Sequence, residues 1–387
     1  MRKMPLALLA TLLLTSWLTP HASAQVPPTV TLSASAAQVV FGESVTLSGS
    51  LSPPDASALV EIRDSAGVAV AAASPDATGA FTATITPDGT DTYVAFIPEA
   101  LSQPVTVQVR ATMTIRSSPV RLFGTVSVRG TVAPARPGRR VEVELTRGGR
   151  TIDRRLVAMG PSGAFETSFE VPLPGTYRAR ATFADDDLLP ARATGVAGST
   201  PLPRLSEGDD GVFVELLESR LADLHYRLIG TNDGEYDYRT ADAVVAFHKV
   251  QRMPRSFVVS AATWRRLAQP RLPDARHGWR GFHFEVDQTL QVLYTVEGGD
   301  ITNILHVSTG AGSATRDGSF RVYRKLAGYS PNRLYYPSYF DGLRALHGWT
   351  EVPTYNASHG CVRIPYWNAK WVYALADYGT RVVIYHS

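Results

Sequence analysis

The sequence predicts a multidomain, mainly β chain: two β-sandwiches in tandem, a small three-helix module and a C-terminal, mostly-β domain. Three observations carry this expectation. The chain has 387 residues, more than one hydrophobic core usually fills. A strand-patterned unit occurs twice before residue 200. The apolar spacing then switches to three and four residues, and later returns to the strand period.

The first 24 residues read as a signal peptide. Met1-Arg2-Lys3 is a basic start, 6–18 is an apolar run, and Ala22-Ser23-Ala24 is a small-residue cleavage site. The run is too short for a membrane helix, which needs about 20 residues. The expectation is a chain exported across the inner membrane to the periplasm or cell wall, with no membrane span in its mature part. Lys and Arg number 38 against 35 Asp and Glu; setting aside Arg2 and Lys3 leaves 36 against 35. No polybasic run or zinc-finger spacing points to nucleic acid. Cys361 is the only cysteine. In an oxidising compartment it has no internal partner, which suggests a reactive thiol or an intermolecular link.

Residues 25–112 and 113–195 form the repeat. Val45-Thr46-Leu47-Ser48-Gly49 and Val60-Glu61-Ile62 alternate at the strand period around Pro53-Pro54-Asp55. Val126-Ser127-Val128-Arg129-Gly130 and Val141-Glu142-Val143 repeat them 81 residues on. Gly79-Ala80-Phe81 returns as Gly163-Ala164-Phe165 and Tyr93 as Tyr177, 84 residues on. Both units resemble the immunoglobulin-like modules of secreted bacterial proteins. They carry no chemical constellation, so the expected role is spacing or surface binding. Residues 196–203, rich in Gly, Ser and Pro, read as a linker.

Residues 204–270 change character. Leucines fall at helical spacing from Glu215 to Leu224, and a second helix carries Thr240, Ala243, Val244 and Phe247. A third carries Thr263-Trp264-Arg265-Arg266-Leu267. The order Asp-Gly, Tyr-x-x-x-Thr-x-x-Ala-Val-x-x-Phe and a closing Thr-Trp-x-x-Leu resembles the three-helix peptidoglycan-binding module. It departs at His248, where that family usually has Gln, and at the turn Arg255-Ser256-Phe257. Trp264 and Phe247 read as core.

Strands resume over 277–387. Phe282-His283-Phe284-Glu285-Val286 and Gln291-Val292-Leu293-Tyr294-Thr295-Val296 read as a hairpin about Asp287-Gln288. Residues 365–378 read as a helix with Trp367, Trp371, Leu375 and Tyr378 on one face, and 380–385 as a last strand. Between them stand His347-Gly348-Trp349 and Ser358-His359-Gly360-Cys361-Val362-Arg363. A cysteine with a positioned histidine is the minimum for thiolate catalysis, and a lowered thiol pKa is the expectation that follows. Gly360 permits a close backbone approach to a developing oxyanion. One alternative is a buried structural cysteine near two satisfied histidines. Another is a transition-metal site of His347, His359 and Cys361.

Together with Val307-Ser308-Thr309-Gly310, Gly318-Ser319-Phe320 and Gly379-Thr380-x-Val382-x-Ile384, these motifs resemble the L,D-transpeptidase catalytic domain of the YkuD type. Arg316-Asp317 stands where that family usually has Pro-Thr. The resemblance implies a mostly-β, sandwich-like domain that cuts the bond before the terminal D-residue of a peptidoglycan tetrapeptide stem. It would pass the acyl group from Cys361 to an amine of another stem. It further implies His347 as base, its tautomer set by the Gly348 carbonyl, and the Gly360 and Cys361 N–H groups as oxyanion donors. Arg363 would orient a carboxylate, Ser358 shape the loop, and His359 support it or assist proton transfer. Tyr336 and Tyr339 would line the acceptor cleft, with aromatic core as the alternative. No cofactor or metal is implied; the partners are stem peptides and other cell-envelope proteins. An L,D-carboxypeptidase and a non-catalytic wall-binding scaffold remain open. A papain-like order does not fit, because there the cysteine comes first.

Overall fold

A computed structural model describes residues 26–228, 230 and 232–387; the expected signal peptide, 1–24, lies outside them. In the first sandwich, the strand Val45–Ser52 pairs with Ala80–Ile85 in one sheet, while Val60–Arg63, Asp91–Ile97 and Val105–Arg110 build the other. In the second, Thr125–Ala133 pairs with Ala164–Glu170, and Arg140–Arg147 with Thr176–Asp185. Side chains of Ala80–Ile85 alternate strictly between exposed and buried, as a half-buried strand requires. Gly49 and Gly130 lie beneath the rings of Phe81 and Phe165; a Cβ there would come within 2.3 and 2.4 Å of the ring carbons. Glycine in mid-strand therefore admits an aromatic ring from its neighbour, twice, at equivalent positions. The Tyr177 hydroxyl donates to the Leu173 carbonyl, the tyrosine-corner arrangement of immunoglobulin-like sandwiches.

The strand Leu188–Ser199 extends into the stretch read as linker, so that the chain leaves the sandwich only after residue 199. Its Ser199 hydroxyl bonds that of Thr176, which keeps the polar residues in the ladder.

Three helices follow: α1 (Val212–Asp223), α2 (Tyr238–Val250) and α3 (Ala261–Ala268). Asp237 caps α2 by accepting from the Arg239 and Thr240 N–H groups, and Ser260 and Thr263 form a capping box on α3. Buried Glu218 of α1 accepts from the Thr240 hydroxyl at 2.6 Å and the Gly234 N–H at 3.0 Å. Burial still pushes its carboxyl up. His248 joins two positions read separately in the sequence. Its Nδ1 donates to the Ser256 carbonyl at 2.7 Å and its Nε2 accepts from the Thr263 hydroxyl at 3.0 Å.

The C-terminal domain stacks two sheets. One has the order Asp300–His306, Val292–Glu297, His283–Asp287, Arg381–Tyr385, Gly318–Arg321. The other runs Arg324–Lys325, Tyr335–Asp341, Arg344–Trp349, Val362–Pro365. Phe284, Val286, Val382 and Ile384 of the first meet Phe340, Leu346, Val362 and Ile364 of the second in one core. The hairpin turn is longer than Asp287-Gln288. Asp287 pairs with Val292, and four residues, 288–291, make the turn.

Helix α4 (Tyr366–Leu375) starts after Pro365 and stops three residues short of the expected end. Its expected face divides: Trp371 and Leu375 pack against the edge of the catalytic core. Trp367 packs on Tyr238 at 4.5 Å, and the Arg227 guanidinium lies 4.3 Å from the Trp371 ring, both across the boundary with the helical module; Tyr378 is 69% exposed. The helices also share a core with the first catalytic sheet: Val214, Leu221, Phe247 and Trp264 cluster with Val292, Tyr294, Val296 and Ile304. Among the described residues no helix is long and apolar enough to cross a membrane.

Candidate active site

Strands Arg344–Trp349 and Val362–Pro365 pair in parallel, Leu346 opposite Val362 and His347 opposite Arg363. Opposed residues project to one side, and alternate residues to opposite sides. Leu346, Val362 and Ile364 therefore enter the core, while His347, Trp349, Arg363 and the preceding Cys361 share the outer face. The contacts agree. Arg363 stacks its guanidinium 5.3 Å from the Trp349 ring, and His347 meets the same ring edge-on at 5.7 Å.

The loop leading to Cys361 is held on several sides. Thr309 O accepts from the N–H groups of Ala357 and Ser358, and Ser308 exchanges both backbone bonds with Arg363. The Ser358 hydroxyl donates to the Cys361 carbonyl at 2.6 Å and accepts the Gly360 N–H at 3.0 Å. Thr315 Oγ1 donates to the Gly360 carbonyl at 2.9 Å. Gly360 has φ 127°, and a Cβ there would come within 2.9 Å of both the Ala314 carbonyl oxygen and Arg344 Nε. Only glycine fits such a position.

His347 is 3% exposed, and its Nδ1 donates to the Gly348 carbonyl at 3.0 Å. That bond leaves Nε2 as the proton acceptor. Burial, with a smaller contribution from Arg363, pushes the imidazole down to about 4, so it is neutral at pH 7. Burial pushes the Cys361 thiol up, opposed by the Ala345 N–H and the cations Arg344 and Arg363. Its Sγ lies 3.7 Å from the Leu343 carbonyl. Thiol and imidazole are both held neutral, so the expectation of a lowered thiol pKa is corrected: desolvation outweighs the nearby charges.

Two comparisons with known families decide the identity. Residues 281–384 match the L,D-transpeptidase catalytic domain, and residues 210–267 match a peptidoglycan binding domain. The chain belongs to the L,D-transpeptidase family. Among solved structures, an L,D-transpeptidase from Xylanimonas cellulosilytica is 33% identical, with 48% of this chain and 99% of that one covered and a TM-score of 0.45. An L,D-transpeptidase from Stackebrandtia nassauensis is 27% identical, with 49% and 98% covered and a TM-score of 0.31. No curated protein matches.

Within this L,D-transpeptidase domain the expected residues separate. Ser358, Gly360 and Cys361 are joined in one loop, which leads to Arg363 opposite His347. His359 is exposed, and its ring has no hydrogen-bond partner among the described residues, so Ser358 rather than His359 braces the loop. Tyr336 lies on the α4 side of the sheet, against Tyr335, Tyr373 and Lys370. Tyr339 shares the face of His347 but is 4% exposed, under Arg324. Neither opens onto Cys361, which corrects the cleft assignment. The Gly360 N–H is also corrected as an oxyanion donor, because the Ser358 hydroxyl already takes it. Among the described residues no three His, Cys, Asp or Glu side chains group to hold a metal ion.

Sequence reading missed Arg344. It donates to the Ala314 carbonyl at 2.7 Å and to Asp341 at 2.9 Å, and its charge favours the thiolate. Counting back from His347 assigns it to the inner face; an irregularity in strand pairing between Tyr339 and Asp341 turns it. Arg316, one of the two family departures, pairs with the same Asp341, and Asp317 with His386.

Proposed function

We propose that the chain is a peptidoglycan L,D-transpeptidase working through a Cys361 acyl-enzyme. The observation that supports it is the register that sets His347 opposite Arg363, with Cys361 two residues before Arg363 on the same face. His347 Nε2 takes the thiol proton as Sγ attacks the carbonyl that precedes the terminal D-residue of a tetrapeptide stem. The tetrahedral oxyanion collapses, the C–N bond breaks, and His347 returns the proton to the departing amine. A thioester remains on Cys361. An amine of a second stem then attacks the thioester and gives its proton to His347, the C–S bond breaks as the new amide forms, and His347 passes the proton to the leaving Cys361 thiolate. The Cys361 N–H is the oxyanion donor left once Ser358 has taken that of Gly360. Arg363 and Arg344 supply positive charge on the face where stem carboxylates lie. The substrate is wall peptidoglycan, and the place of action the periplasm or cell wall.

Mass spectrometry of tetrapeptide muropeptides incubated with the purified protein tests this reading. Loss of one D-alanine with formation of dimers is expected. Loss without dimers makes water the acceptor and the enzyme a carboxypeptidase; intact tetrapeptide overturns both. In the same assay Arg363→Ala is expected to lower kcat/KM about 10- to 100-fold, the equivalent of one charge-assisted contact. Its melting curve should be unchanged, because among the described residues the guanidinium stacks on the Trp349 ring and makes no ion pair.

A further inference from the structure

Of the two departures of the helical module from its family pattern, the turn 255–257 meets the catalytic domain, and His248 holds that turn through the Ser256 carbonyl. A buried lysine also meets that domain. Lys249, 2% exposed at the end of α2, places Nζ 2.8 Å from the Gln291 carbonyl, 3.0 Å from the Val307 carbonyl and 2.5 Å from His306 Nδ1. His306 Nε2 lies 2.8 Å from the Val352 carbonyl, so it must donate there; Nδ1 is then the acceptor and Lys249 the donor. Burial and Arg255 push the Lys249 ammonium down. Even so, three acceptors around Nζ match the three N–H bonds of its protonated form.

Two of the three acceptors lead towards Cys361. Gln291 holds Thr309 twice, at its N–H and its hydroxyl, both at 2.7 Å, and Thr309 O holds the N–H groups of Ala357 and Ser358. Val352 starts the segment that ends at Ser358. Arg255 adds a second tie, donating to the Thr354 carbonyl at 2.5 Å and the Thr289 carbonyl at 2.8 Å, and Phe257 meets the His306 ring at 6.3 Å.

We propose that Lys249 and Arg255 of the helical module are positioning residues of the transpeptidase reaction, holding residues 350–357 and through them the Ser358–Cys361 loop. The module is then part of the catalytic site as well as a wall-binding unit. This rests on the transfer reaction proposed above.

The test uses the full chain. Arg255→Ala removes the surface tie and leaves carbonyls that water can reach, so it should fold. It is expected to lower kcat about tenfold, the cost of a slightly misplaced nucleophile, with KM and pelleting on purified sacculi unchanged. Hydrogen exchange of the amides in 350–361 should speed up, and Arg255→Lys should restore part of both. Lys249→Met should do the same more strongly if it folds. Unchanged kcat and unchanged exchange in Arg255→Ala would overturn the proposal, as would a Lys249→Met protein with full activity per folded molecule. If wild-type protein turns over no stem peptide, the transfer reaction fails. The exchange measurement still decides the tie.

Discussion

Cys361→Ser is expected to abolish acyl transfer, by on the order of 10⁴-fold or more, and to leave the protein folded. A thiol becomes a nucleophile with modest help from a neighbouring base. A serine hydroxyl in its place starts from a far higher pKa, and among the described residues no carboxylate pairs with His347, whose Nδ1 donates to the Gly348 carbonyl, to stabilise an imidazolium. Nothing in the fold depends on the sulfur. Its contacts, 3.7 Å to the Leu343 carbonyl and the Ala345 N–H, are weak sulfur hydrogen bonds, and the loop is held by Ser358 and Thr315 instead. The change in stability should stay within about 0.5 kcal/mol. A variant that keeps a tenth of wild-type turnover in the muropeptide assay would remove Cys361 from the chemistry.

The second large effect belongs to His347. His347→Ala should cost about 10²–10⁴ in kcat, the usual range for a positioned general base. The pH dependence carries more information. With its pKa pushed down to about 4 by burial, His347 is still unprotonated at pH 5, where a free imidazole would already be charged. The acid limb of kcat/KM is therefore expected near pH 4 and not near 6.5. Stability follows the same group. Between pH 6.5 and 4 the unfolded chain binds a proton at this position and the folded chain does not. The stability present above pH 6.5 is thus lost as pH falls towards 4, by about 3 kcal/mol. Urea unfolding of wild type and His347→Ala at pH 7 and pH 4.5 separates this contribution from the carboxylates. The variant should lose less on acidification, and an equal loss in both would place the histidine's pKa near its ordinary value.

The repeat and the side shared by Cys361 and Arg363 follow from the sequence for the same physical reason. Strand alternation fixes sides, so Gly49 under Phe81 and Gly130 under Phe165 announce two copies of one packing. Cys361 and Arg363, two apart, announce one face. Residues whose position depends on an irregularity escaped. Arg344 was hidden by the pairing shift after Tyr339. Tyr336 carries a positive φ of 47°, which turns its ring towards α4 and Tyr373. Hydrogen-bond competition was also invisible: spacing alone shows a Gly360 N–H beside the thiol, and only the three-dimensional loop shows Ser358 taking it. Trp367, Trp371 and Leu375 lie on α4 as expected, while Tyr378 falls beyond its end and is exposed, so only part of the expected face forms. Its partner, the helical module, could not be named from helical periodicity, which says that a side is covered but not by what.

The most direct test of the central claim is the intact mass of protein mixed with tetrapeptide stem and quenched in acid within one turnover. The account predicts a single adduct equal in mass to the stem lacking its terminal D-residue, present in wild type and absent in Cys361→Ser. An adduct that persists in Cys361→Ser, or product formation with no adduct at any quench time, would contradict it.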